Sequence, residues 1–199
     1  MDILLALGLG LGLSAASGFR VFVPLLGLSL AGLVGGVTLP PGAEWLGTWP
    51  AFLALGTATL LEIGGYYIPW LDHLLDGLAT PLAALAGCFL ALVAFHDLPP
   101  VLRWLLAVIA GGGASSLVQL GTVTLRGLST GTTGGLANPL VATLEAGASL
   151  SFTLLALLVP VLAFVLTLAV VGGLAWLLLR AVCSRRPRAN RQSGDLAIR

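Results

Sequence analysis

Two glutamates, Glu62 in Thr59-Leu60-Leu61-Glu62-Ile63-Gly64 and Glu145 in Thr143-Leu144-Glu145-Ala146-Gly147, stand inside long apolar runs with almost no other charge. A charged carboxylate at the centre of a membrane helix costs about 2.5–3.5 kcal/mol on insertion scales, so two of them point to a proton or solute site. The bland alternative is a protonated glutamate bonding one helix to the next, worth about 1 kcal/mol. Arg20 is the natural partner of either carboxylate, or of an anionic group on a solute, although an arginine at a span end can also snorkel to the headgroups. Asp72, His73 and Asp76 form a further acidic group, with the two aspartates one helical turn apart. Such a set can collect a cation or relay protons at a cytoplasmic mouth, or merely solvate a turn.

The elements that hold these residues are apolar. The chain has 199 residues, 58% hydrophobic and 9% charged, with a mean hydropathy of +1.06. Soluble domains hold about 45–50% apolar and 25% charged residues, so the composition identifies an all-α integral membrane protein embedded in a lipid bilayer. Six spans of the length that crosses ~30 Å of hydrocarbon are expected. The first starts at Ile3, breaks at Ser14-Ala15-Ala16-Ser17-Gly18 and continues beyond Arg20. The second covers about Ala51 to Ile68, and an acidic turn over 70–77 leads to the third, from about Thr80 to Phe95. The fourth starts near Val101, passes a second break containing Gly112, Ser115 and Ser116, and ends at Arg126, ahead of a Gly/Ser/Thr-rich turn from Ser129 to Gly135. Asn138-Pro139 reads as the N-cap and first residue of the fifth. The apolar stretch 140–179 is too long for one crossing, so a turn is placed near Pro160.

Counting at ~1.5 Å per residue, Glu62 lies ~18 Å along its helix from Pro50 and Glu145 ~9 Å from Pro139. Each half of the chain has a small-residue break followed by a glutamate in the next span. Three spans per half would place the second half upside down, which predicts inverted repeats over 1–97 and 98–182, a recurrent transporter design.

Charge sets the orientation. There is no lysine, and six of nine arginines lie in the last twenty residues. A basic segment after a membrane helix is retained in the cytoplasm, so 183–199 is expected to be a disordered cytoplasmic tail of an inner (plasma) membrane protein. Six spans would then place the N-terminus in the cytoplasm too. The tail lacks aromatic residues and abuts a helix, which argues against nucleic acid as a partner. Trp45, Trp49, Trp70, Trp104 and Trp176 fall near the proposed interfaces. Asp2 and the lack of a basic start argue against a signal peptide. Cys88 and Cys183 are expected to be free thiols.

No G-K-[ST] phosphate loop, H-E-x-x-H, G-x-S-x-G or cysteine ligand cluster occurs, so no cofactor, metal centre or enzymatic activity is expected. An intramembrane enzyme built on Asp72, His73 and Asp76 is the least supported reading.

At Gly12-Leu13-Ser14-Ala15-Ala16-Ser17-Gly18-Phe19-Arg20 with Pro24, at Ile68-Pro69-Trp70-Leu71-Asp72-His73, and at Asn138-Pro139 ahead of Glu145, the chain resembles a bacterial membrane family, domain of unknown function 4126 (DUF4126). The resemblance spans about residues 1–182 and implies a whole-chain membrane domain without a defined activity. A fainter likeness is to the lysine-exporter-like superfamily, whose manganese and calcium exchangers carry E-x-G-D-[KR]-[ST] in each inverted half. Glu62-Ile63-Gly64 is followed by Gly65 and Tyr66, and Glu145-Ala146-Gly147 by Ala148 and Ser149, so the acidic position is missing in both. That likeness implies an architecture rather than metal exchange. The expectation is a small secondary transporter or channel-like protein, with a homodimer as a candidate assembly and an unidentified small solute or ion as ligand. Its site would be formed by Glu62, Glu145 and Arg20. The alternative is a membrane scaffold or lipid-interacting protein in which these residues are packing glue.

Overall fold

A computed structural model describes residues 2–184, without the side chains of 69, 70, 72, 73 and 181–184. All regular structure among the described residues is helical. Helix α1 covers Ile3–Phe19, α2 Phe22–Leu33, α3 Trp49–Gly65, α4 Pro69–Ala94, α5 Pro100–Leu106, α6 Gly113–Thr133, α7 Asn138–Leu158 and α8 Pro160–Ser184. A 3₁₀ turn, Glu44–Gly47, precedes α3, and a π-helical stretch, Ala107–Gly112, joins α5 to α6. Proline punctuates these starts: α3, α4, α5 and α7 each carry one in the first turn, and α8 opens on Pro160. Its fixed φ suits that position and its missing N–H costs nothing there. Gly134 ends α6 at φ 63°, a left-handed conformation suited to glycine.

Among the described residues, four helical stretches are long and apolar enough to cross a membrane: Leu74–Ala94, Pro100–Thr133, Asn138–Leu158 and Pro160–Arg180. Ile3–Phe19 and Phe22–Leu33 are shorter apolar helices. The turn expected near Pro160 is present, with Val159 between α7 and α8.

The expected breaks are not where small residues suggested them. Helix α1 runs unbroken through Ser14, Ser17 and Gly18, and the chain turns instead at Arg20, a single extended residue at φ −146°, ψ 125°. Helix also continues through Gly112, Ser115 and Ser116, with a π-helical stretch in place of a break. Serine is compatible with a helix when its hydroxyl bonds a carbonyl in the preceding turn. Ser14 Oγ does so to Gly10 O at 2.7 Å, Ser115 Oγ to Gly112 O at 3.0 Å and Ser116 Oγ to Gly112 O at 2.7 Å. The acidic turn over 70–77 is also helical, forming the start of α4. Asn138 begins α7 but does not cap it: the capping position belongs to Ala137, and Asn138 Nδ2 donates to Thr130 Oγ1 at 3.1 Å.

Helix α1 is the axis of the bundle, buried from Gly8 to Gly18. Ser14 Oγ donates to Gly87 O (2.8 Å) and Ser149 Oγ to Ala16 O (2.9 Å), while Arg20 Nη2 reaches Ala142 O (3.0 Å). These pairings make α4 and α7 antiparallel to α1. Gly8 and Gly12 face Pro160 and Ala163, and Gly18 faces Ser115 and Val118, so α8 and α6 run parallel to it. Helix α2 folds back: Phe22 lies at Glu62 and Gly27 at Thr153, and Ser29 Oγ bonds Leu46 O just before α3. Thus α1 and α2 form a hairpin, not two pieces of one crossing. The start of α1 and the end of α8 consequently lie at opposite ends of the bundle.

Candidate functional site

Three helices place a charge at the same depth. Asp76 is seven residues after Pro69 at the start of α4, Glu145 seven after Asn138 at the start of α7, and Arg126 seven before Thr133 at the end of α6. Each is therefore ~10 Å in from the same end of the bundle. The α1–α2 tip and the end of α3 reach this level from the other side, carrying Arg20, Glu62 and Tyr66.

Glu145 is the hub. Arg126 Nε donates to its Oε1 at 3.0 Å and Arg126 Nη2 contacts its Oε2, the forked geometry that suits guanidinium and carboxylate. Arg20 Nη2 lies 3.3 Å from the same Oε2. Arg126 Nη1 also reaches Asp76 Oδ1 at 3.3 Å. The Arg20 and Arg126 guanidinium carbons sit 3.8 and 3.9 Å from the centroid of the Tyr66 ring. Arg20, Tyr66, Arg126 and Glu145 are all buried, with Arg20 only 1% exposed. That excludes the snorkelling reading of Arg20.

Glu62 has a different task. Its Oε1 accepts from Val21 N at 2.7 Å and its Oε2 from Phe22 N at 3.1 Å. A carboxylate held by free amides at a helix start satisfies donors that have no intrahelical partner and complements the helix dipole. Glu62 sits in the last turn of α3, three residues before Gly65, so its position along the helix is terminal rather than central. Glu145 lies in the first half of α7, so the two glutamates are not equivalent positions of a repeated unit.

Sequence reasoning names Arg20, Glu62 and Glu145, and the structure brings them to one place. Asp76 joins them, whereas the side chains of Asp72 and His73 fall outside the described residues, as does the basic tail from 185 onward. Ser14, Ser17, Gly18, Gly112, Ser115 and Ser116 belong to the packed middle of the bundle. Sequence reasoning misses Arg126 and Tyr66. Reading Ser129 to Gly135 as a turn ends the fourth span at Arg126, but α6 continues to Thr133. There Thr132 and Thr133 bond carbonyls one turn back, and Gly134 supplies the cap. The Gly134-Gly135 pair is the usable stop signal, and it places Arg126 two turns inside the helix.

A cavity of about 470 Å³ opens beside this cluster, lined by Asp76, Thr80, Arg126, Thr130 and Asn138. A second, of about 400 Å³, lies at the other end of α4, lined by Leu5, Thr38, His96, Asp97 and Pro160. There His96 Nε2 is 3.1 Å from Asp97 Oδ1. Between the two cavities, serines and glycines of α1, α4, α6 and α7 close the bundle. Among the described residues, no three histidine, cysteine, aspartate or glutamate side chains group as metal ligands.

The family model described as "Domain of unknown function (DUF4126)" matches residues 7–180. No curated protein and no solved structure matches the chain.

Proposed function

The chain belongs to the DUF4126 family, and from the site geometry we propose that it is a small secondary transporter working through the Arg20–Glu145–Arg126–Asp76 network. The observation that carries this reading is that Arg126, in a buried fork with Glu145, also lines an open cavity together with Asp76, Thr80, Thr130 and Asn138. Apolar side chains of similar volume would stabilise the bundle as well or better than a buried ion pair, so stability alone gives little reason to retain one. Intramembrane charges that face a cavity are characteristic of ion and solute pathways.

The two cavities, at opposite ends of α4 with a closed layer between them, support alternating access. Asp76 and His96 are twenty residues apart, or ~30 Å along a helix axis, about the thickness of the hydrocarbon. Arg126 has two carboxylates in reach, Glu145 and Asp76, and Glu145 has two arginines. Protonation of one carboxylate, or arrival of a charged solute, redistributes these partners and loosens the link between the α1–α2 tip, α6 and α7. The arginine-rich segment after α8 supports a cytoplasmic position for that end. The Asp76 cavity then faces inward, and the His96 cavity and the chain between α2 and α3 face outward. In this topology α1 starts on the outer side.

Proton flux into proteoliposomes, followed with an enclosed pH-sensitive dye under an imposed potential, tests the reading. Wild type is expected to exceed empty vesicles, and Glu145→Gln to fall to their level. Equal flux in wild type, Glu62→Gln, Glu145→Gln and empty vesicles would overturn it. The scaffold reading has one observation in its favour, the use of both Glu62 oxygens to cap α2. It predicts that the glutamine variants lose stability while no flux depends on them.

A further inference from the structure

The start of α2 is occupied by a carboxylate belonging to the protein itself. Glu62 fills the place of a bound anion there, with Val21 N–H and Phe22 N–H directed at its two oxygens. Amides at a helix start form a ready anion site. This one has a second donor set immediately beside it. Arg20, the residue before Val21, uses Nη2 for Ala142 O and Glu145, while its Nε and Nη1 have no hydrogen-bond partner although the side chain is 1% exposed. Buried guanidinium donors without acceptors are costly, and an anion bound here would satisfy them. Arg20 directly precedes Val21, so the two donor sets belong to consecutive residues.

We propose that the ligand of this site is a small monocarboxylate, anchored by Arg20 and the start of α2, and that it displaces Glu62, which leaves as a protonated acid. The proposal rests on the transport reading and specifies its solute. The charge balance requires the proton. Among the described residues, the cluster holds two arginines, Arg20 at the α1–α2 tip and Arg126 on α6, against Glu62 on α3, Asp76 on α4 and Glu145 on α7, with Tyr66 between them as the remaining titratable group. Adding an anion to three carboxylates and two guanidiniums would deepen the negative excess in a site shielded from water. Moving one proton onto the Glu62 carboxylate as the ligand carboxylate arrives leaves the charge unchanged: the bond to hydrogen breaks in hydronium or a buffer acid of the medium, and one O–H bond forms on Glu62. Arg126, on the wall of the Asp76 cavity, is the first guanidinium such an anion meets. Through shared Glu145 it leads to Arg20.

Acetate is the probe, titrated calorimetrically into the purified full-length protein in detergent. Two buffers of different ionisation enthalpy are compared, so that proton uptake is read alongside affinity. Wild type is expected to take up about one proton per acetate and to bind more weakly as pH rises. Glu62→Gln should bind acetate without proton uptake and without that pH dependence. Arg20→Lys should weaken binding by at least about tenfold, because an ammonium cannot supply the same planar pair of donors. If Arg20→Lys does not fold, Glu62→Gln still carries the test. Proton uptake that persists in Glu62→Gln, unchanged affinity in Arg20→Lys, or equal affinity for chloride in place of acetate would overturn the proposal. Absence of acetate binding by protein whose proton flux is intact would overturn it alone and leave the transport reading standing. Loss of both would remove both.

Discussion

The bundle contains two buried polar regions that solve the same problem in opposite ways. In the middle, Ser14, Ser17, Ser115 and Ser149 are fully buried, and each hydroxyl bonds a backbone carbonyl in its own helix or a neighbouring one. These groups are neutral and short, and they lie beside glycines, so the helices approach closely and the region is shut. Toward the Asp76 end, long charged side chains from separate helices reach across space to each other. Arg20, Arg126 and Glu145 depend on partners supplied by other elements. The first arrangement loses little if one member is removed, whereas the second leaves an uncompensated charge. Local satisfaction therefore makes a closed layer, and remote satisfaction makes a site whose partners can be exchanged.

The comparison is broken most severely at Arg126. Arg126→Leu should cost about 3–5 kcal/mol by removing the buried fork on Glu145 and the contact with Asp76, read from denaturation of the purified protein in detergent. Arg126→Leu combined with Glu145→Leu should recover only part of that loss, because Arg20 then loses its carboxylate partner. A single-substitution cost no greater than that of a middle-layer serine would erase the distinction between the regions. Packing comes next. A Cβ on Gly18 would meet Ser115 O at 2.5 Å and the Val118 Cβ at 2.6 Å. Gly18→Val is thus expected to cost about 1–3 kcal/mol through overpacking, measured in the same way. The smallest effect belongs to Ser149→Ala, which removes one interhelical bond to Ala16 O. It should cost about 0.6 kcal/mol, typical of such bonds in membrane bundles. A much larger loss would show that the serine layer is a network, like the charged one.

Much of the site is legible in the sequence. Glu62, Glu145 and Arg20 stand out because a charge in an apolar run is conspicuous in any one-dimensional reading. Helix starts are also legible, since proline and the lengths of the apolar runs mark them. Small polar residues mislead when they are counted as breaks. Ser14, Ser17, Ser115 and Ser116 are compatible with either a turn or a helix, and only the neighbouring carbonyls of a packed bundle decide between them. Ser129 to Thr133 mislead in the same way and hide Arg126 at an apparent helix end.

The sequence by itself determined that this is a bundle of apolar helices, that Arg20, Glu62 and Glu145 carry buried charge, and where most helices begin. These properties are local, set by transfer free energies and backbone preferences within a few residues. Only the tertiary structure decided that α1 and α2 are a hairpin around Arg20, that Glu62 caps α2, and that Glu145 is shared between two arginines. Each depends on groups 19 to 122 residues apart in the chain meeting at one depth. Such meetings are fixed by helix directions and lengths acting together, which no single stretch of sequence contains.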